Sequence, residues 1–328
     1  MSGAAGGGGA VAAGTPWARL TEFERTYSGA PWFEFCRNHA EVPVFAVVFY
    51  LGFVFYVPAL MEHRPALSLK WPFAAWNVAL ALFSVCGSVR TLPHLTRALV
   101  AEGFDYTVCQ DPRAWYFDGP VGLWVALFIF SKVPELLDTL FLVLQKKRVI
   151  FLGWFHHTTV MLYCWHAFHN CIASGLWFAT MNYLVHSVMY TYYFMMVFKA
   201  LRPYARAIAP IITTIQIAQM AVGVSVTVRS AQLHYQGRQC AVDPANFKLG
   251  LGMYGSYLVL FSLLFLDKYF GSGPASARGG AASGKGAEKN PNLCGVELTK
   301  DGAGFFQPDE VDTIHAPVSA PRRSSKRD

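Results

Sequence analysis

Between residues 43 and 270 the chain alternates long apolar runs with short polar stretches, and no run shows the one-sided apolar stripe of a soluble surface helix. The runs fall at about 43–61, 72–91, 120–144, 149–168, 173–198, 207–228 and 247–269. Each is close to the ~20 residues that an α-helix needs to cross hydrocarbon at 1.5 Å per residue. The pattern predicts an all-α polytopic membrane protein with seven transmembrane helices over 43–270, and an odd number of crossings puts the two termini on opposite sides. Before the first run, GAAGGGGAVAAG holds no apolar block long enough for a signal peptide. Roughly the first dozen residues of the 1–42 segment therefore read as disordered. After the last run, GSGPASARGGAASGKGAEKNPN opens a low-complexity tail, 271–328, that cannot bury a core.

Composition agrees, with 54% hydrophobic residues and only 14% charged, too apolar for a soluble domain of 328 residues. The net charge of +7 raises the question of nucleic acid, but the basic residues sit in short loops and the tail rather than along one periodic face. No nucleic-acid partner is expected. Positive-inside topology accounts for them better. One set of loops carries Arg64 and Lys70, then Lys146, Lys147 and Arg148, then Lys199, Arg202 and Arg206. The alternate set carries Arg90, Arg97 and Arg113, then Arg229, Arg238 and Lys248, diluted by Glu102, Asp105, Asp111 and Asp118. The tail is also richer in Lys and Arg than the head, which has Arg19, Arg25 and Arg37. These asymmetries predict a lumenal N-terminus and a cytosolic C-terminus.

Polar side chains inside the runs carry the functional signal, because ionisable groups at membrane depth are costly and are usually retained for function. The fourth run, FLGWFHHTTVMLYCW, places His156 and His157 side by side. In the third, Lys132, Glu135 and Asp138 recur at three-residue steps and so share a helical stripe, with Pro134 among them to kink the helix. The fifth contributes Asn182 and His186, four apart, then Tyr190 and Tyr193; the sixth contributes Thr213, Gln216 and Gln219. Counted from the cytosolic end of each run, Asp138, His156, His186 and Gln216 all lie roughly 10 to 18 Å deep. Four helices thus deliver polar groups to one layer, which points to a shared site rather than to scattered helix-to-helix hydrogen bonds.

These residues occur in four ordered motifs: KVPELLDTLFLVLQKK (Lys132 to Lys147), WFHHTTVMLY (Trp154 to Tyr163), MNYLVHSVMYTYYF (Met181 to Phe194) and TIQIAQ (Thr214 to Gln219). Together they resemble the signatures of the very-long-chain fatty acid elongases, the ELO/ELOVL condensing enzymes, over about Phe73 to Phe270. The resemblance implies seven helices, six of them around a narrow acyl tunnel, in the endoplasmic reticulum membrane. It implies condensation of acyl-CoA with malonyl-CoA to a 3-ketoacyl-CoA, with release of CoA and carbon dioxide and no bound cofactor. It implies partners in the ketoacyl-CoA reductase, dehydratase and enoyl reductase of the elongation cycle, and a possible homodimer. One position departs from the pattern: the family's His-x-x-His-His box has Gly153 in first place here. His156 then matches the family's proposed nucleophile and His186 its partner.

A neutral imidazole attacks thioesters competently, giving an acyl-imidazole that splits one hard step into two. Asn182 or a second histidine supplies donors for an oxyanion, and sequence leaves open whether His157 or His186 handles protons. Lys132, Glu135 and Asp138 fit direct participation and a charge-balanced structural layer equally well. Tyr190, Tyr193, Gln216 and Gln219 are candidate substrate contacts. Lys146, Lys147, Lys199 and Arg202 lie where CoA phosphates would arrive, with plain topology determinants as the alternative. VCQDPRAWYFDGPV (Val108 to Val121) and the Trp before the histidines look closest to the branch handling saturated and monounsaturated chains. Cys109 and Cys240 are the two of seven cysteines well inside lumenal loops, where oxidation is permitted, and the resemblance supports a bridge between them. Two other classes remain: a di-iron desaturase or hydroxylase, which needs several histidine boxes where only one histidine pair stands here, and a seven-helix transporter, for which no internal repeat is visible.

Overall fold

The apolar runs become helices, the form that satisfies every backbone polar group within one segment of chain. A computed structural model describes residues 16–270; the Gly/Ala-rich head and the tail from Gly271, both expected to be disordered, lie outside the described residues. In chain order the helices are α1 (Pro16–Thr26), α2 (Ala30–Asn38), α3 (Glu41–Leu60), α4 (Lys70–Glu102), α5 (Phe104–Cys109), α6 (Gly119–Ser131), α7 (Leu137–Leu144), α8 (Phe151–His169), α9 (Gly175–Val197), α10 (Arg202–Tyr235) and α11 (Pro244–Phe270). Short 3₁₀ turns stand at Pro112–Ala114 and Pro134–Leu136, and no strand occurs among the described residues.

Every apolar run is helical, but four helices among the described residues, α3, α4, α10 and α11, are individually long and apolar enough to cross a membrane. This is a membrane protein. The third run is divided: α6 has 13 residues and α7 has 8, joined by the 3₁₀ turn that Pro134 opens. A proline without an amide hydrogen cannot continue the ladder, so the expected kink takes the form of a break. By contrast α4 and α10, at 33 and 34 residues, outrun the runs that predict them, because their polar ends continue helically past the apolar stretch. At 1.5 Å per residue they span about 50 Å, well beyond a ~30 Å hydrocarbon layer.

α9 lies against α4 and α10, α10 against α11, and α8 against α11 and α3. Small residues allow the closest approaches: a Cβ on Gly87 of α4 would sit 2.5 Å from the ring of Tyr183 on α9, and one on Gly223 of α10 would sit 2.5 Å from Tyr254 on α11. The largest apolar core runs between α6, α8, α9, α10 and α11 and includes Phe128, Tyr163, Phe178, Met220 and Tyr254.

α1 and α2 have no counterpart in the seven-run pattern. α1 is held through Glu24, 4% exposed, which accepts from Arg90 Nη2 at 2.8 Å and from Trp124 Nε1 at 2.9 Å. α2 is fixed where Trp165 Nε1 donates to the Cys36 carbonyl at 2.9 Å. At the α5 end of the bundle, a disulfide joins Cys109 to Cys240, and the Ala241 amide donates to the Cys109 carbonyl at 2.9 Å. Asp105 accepts from Arg229 Nε at 2.7 Å and Nη2 at 2.8 Å beside that bridge, and the guanidinium holds the carboxyl below its usual range.

Candidate active site

α8 begins one turn before the histidines. Its first turn contains buried Gly153, whose amide donates to the Ile150 carbonyl at 3.0 Å. Consecutive helical residues diverge by about 100°, so His156 and His157 face different neighbours. The His157 ring is buried near Tyr50 of α3, with ring centres 6.2 Å apart. His156 lies 5.0 Å from the ring of Tyr257 on α11, whose hydroxyl donates to the His156 carbonyl at 3.2 Å and bonds the Thr159 hydroxyl. The two histidine rings stand nearly perpendicular with centres 5.5 Å apart.

α9 presents Asn182, His186, Tyr190 and Tyr193 along one inward stripe, as steps of four, four and three residues dictate. Asn182 Nδ2 lies 3.0 Å from His186 Nε2. Asn182 Oδ1 in turn accepts from Lys132 Nζ at 3.1 Å, and the same ammonium donates to Glu135 Oε1 at 2.7 Å and Oε2 at 2.9 Å. Ser131 Oγ adds a 2.8 Å bond to Glu135. Lys132 and Glu135 are each 2% exposed, a buried ion pair with its remaining valences filled. Three residues apart across a 3₁₀ turn, their side chains eclipse, which brings them together so closely.

The stripe expected from the sequence keeps one direction: Lys132 reaches Asn182 of α9, and Asp138, on α7, accepts from Tyr190 OH of the same helix at 2.7 Å and from Trp76 Nε1 of α4 at 2.6 Å.

A cavity of about 700 Å³, counting its open mouth, collects these groups. His156, His157, Asn182, His186, Asp138, Tyr190, Tyr193, Gln216 and Gln219 all line it, with Phe73, Met189, Met220 and Phe261 as apolar wall. His156, Asn182, Gln219 and Met220 also border a narrow space that continues to Tyr163, Phe178 and Tyr254. Lys132 and Glu135, expected as substrate contacts, do not line the cavity; they stand behind Asn182.

The basic residues expected at the mouth are not gathered on it. Lys146 and Lys147 line a separate cleft between α3 and the 145–150 loop, Lys199 is exposed, and Arg202 Nε donates to the Met196 carbonyl at 3.1 Å. Lys147 comes nearest, its ammonium 5.9 Å from the ring of the cavity residue Phe73, and burial, with Arg202 nearby, pulls its pKa down to about 8.

Sequence reasoning missed Trp76, Thr139 and Tyr257. Aromatics make up 15% of the chain, so single ones inside apolar runs give no signal. Among the described residues no three of His, Cys, Asp and Glu converge as a metal-holding group.

A model of the GNS1/SUR4 family matches residues 35–277. The chain belongs to this family. The matched range contains every residue lining the cavity. Among curated relatives, Fatty acid elongase 3 of Trypanosoma cruzi (strain CL Brener) is 44% identical over 283 residues, 79% of this chain and 93% of the relative. Very long chain fatty acid elongase 6 of Drosophila melanogaster is 40% identical over 236 residues, 71% of this chain and 74% of the relative. A relative of that same name from Gallus gallus is 36% identical over 255 residues, 76% of this chain and 92% of the relative.

Proposed function

We propose that this chain is a fatty acid elongase of the endoplasmic reticulum membrane, a 3-ketoacyl-CoA synthase that condenses acyl-CoA with malonyl-CoA. The observation that carries the reading is one cavity, apolar along most of its wall, into which His156, His157, Asn182 and His186 project from two helices. His156 attacks the thioester carbonyl, the CoA thiolate leaves, and the acyl group rests on the imidazole. Malonyl-CoA then loses carbon dioxide to give an enolate. That enolate attacks the acyl carbon, forming the new carbon–carbon bond and freeing the imidazole. Hydrogen-bond donors around the site stabilise the oxyanions of both halves. The apolar wall and its narrow continuation toward Tyr254 suit the acyl chain, and they exclude the water that would hydrolyse the intermediate.

In this reading the seven runs make seven crossings, with the N-terminus and the Cys109–Cys240 bridge lumenal and the C-terminus cytosolic. CoA approaches from the side of the 145–150 loop. The product passes to the ketoacyl-CoA reductase, dehydratase and enoyl reductase of the same cycle.

The test is incubation of the purified protein with labelled malonyl-CoA and a ladder of acyl-CoA lengths. The reading requires label in a ketoacyl product two carbons longer than the substrate. Transport or oxidation of acyl-CoA without a new carbon–carbon bond would overturn it.

A further inference from the structure

The buried pair Lys132–Glu135 touches no part of the cavity, yet one of its hydrogen bonds reaches Asn182. That bond has a chemical consequence two groups away. An ammonium has donors only, so the Asn182 atom 3.1 Å from Lys132 Nζ must be the amide oxygen. The other end of the amide is then NH₂, which can only donate. It lies 3.0 Å from His186 Nε2, so that ring nitrogen must present a lone pair. An imidazolium, protonated at both nitrogens, does not fit this contact, and neither does the neutral ring carrying its proton on Nε2.

We infer that Lys132 and Glu135 are positioning residues that, through Asn182, hold His186 as the neutral tautomer protonated at Nδ1. Glu135 Oε1 and Oε2 keep the ammonium charged and aimed, at 2.7 and 2.9 Å, and the face of Phe128, 4.2 Å away, closes its remaining side. With Nε2 engaged, the one polar group His186 can offer a molecule in the cavity is Nδ1–H, a donor. The ion pair thereby casts His186 as a hydrogen-bond donor to an oxyanion and leaves nucleophilic attack to His156. This assignment of roles deepens the condensing-enzyme reading and rests on it; the tautomer itself does not.

The two parts are tested separately. Full-length protein labelled with ¹⁵N-histidine is reconstituted in lipid bilayers, and the spectrum of His186→Gln is subtracted to isolate the His186 ring. The difference should show a neutral imidazole with its proton on Nδ1 and a hydrogen-bonded, unprotonated Nε2. A proton on Nε2 in the unaltered chain overturns the inference. The double variant Lys132→Met, Glu135→Met removes the pair as a unit and frees the amide to rotate, so both tautomers should appear. A single, unchanged tautomer there would show that the pair does not position it.

Condensation by the double variant should fall by roughly 10- to 100-fold, the usual effect of removing an outer partner of a reactive group. Undiminished condensation would overturn the positioning role. If the unaltered chain shows the Nδ1 tautomer but makes no ketoacyl product, the elongase reading fails and the tautomer assignment stands.

Discussion

Glu135→Gln keeps the shape of the side chain and removes its charge, leaving the Lys132 ammonium, 2% exposed, with neutral acceptors where a carboxylate stood at 2.7 and 2.9 Å. Breaking a buried ion pair from one side costs about 3–5 kcal/mol, because the partner stays desolvated and uncompensated. The folded-to-unfolded ratio should fall by about 10²- to 10⁴-fold. At about 2–4 °C per kcal/mol for a chain of this size, the unfolding temperature should drop by roughly 6–20 °C. Replacing both partners with methionine behaves differently, since it removes the desolvation cost together with the attraction, and the result is neutral to about 4 kcal/mol more stable. The assay is thermal unfolding of purified protein in detergent, followed by near-ultraviolet circular dichroism, for Glu135→Gln and for the double methionine variant. The reasoning is refuted if Glu135→Gln unfolds at the same temperature as the unaltered chain, or if the double variant is less stable than Glu135→Gln.

Three other outcomes are expected. Gly153→His restores the group missing from the first place of the histidine box and should raise condensation by about 10²- to 10⁴-fold, the usual worth of an acid–base partner; equal rates at matched expression would show that this position is dispensable. Cys109 and Cys240, 131 residues apart, should resist maleimide in denatured protein until reductant is added, and Cys240→Ser should cost about 2–5 kcal/mol of stability; equal alkylation of both without reductant contradicts the bridge. Lys147 titrates near pH 8, so it is charged below that pH and neutral above it; if it meets CoA phosphates, KM for acyl-CoA should rise as pH passes from 7 to 9, whereas Lys147→Arg, charged throughout, should flatten that rise. An identical KM profile in the two proteins would remove Lys147 from substrate binding.

The site was legible in the sequence to the extent that it is polar. His156, His157, Asn182, His186, Gln216 and Gln219 stand out because polar groups inside apolar runs need a reason, and the helical period places them on common faces. Trp76 and Tyr257 supply hydrogen bonds that shape the same cavity, but they look like any other aromatic residue in a chain rich in them. The three-residue steps of Lys132, Glu135 and Asp138 implied one stripe, and Lys132 and Asp138 do meet the same helix, at Asn182 and Tyr190 of α9; the steps could not show that the Lys132–Glu135 pair stands behind Asn182 while Asp138 lines the cavity. α1 escaped notice for a tertiary reason: an 11-residue helix is marginal by itself, and the Glu24–Arg90 contact that holds it joins residues 66 apart. The basic residues carry a weaker signal, because charge near span ends serves topology as readily as binding.

The most direct test of the account is whether an acyl group is carried on His156. Purified protein incubated with acyl-CoA alone, without malonyl-CoA, should release one equivalent of CoA and hold one acyl group, located by mass spectrometry on the peptide containing His156 and lost on later addition of malonyl-CoA. His156→Ala should abolish both release and label, while His186→Ala slows condensation yet still acquires the acyl group. Undiminished CoA release from His156→Ala protein, or an acyl group found on another residue, would contradict the mechanism at its first step.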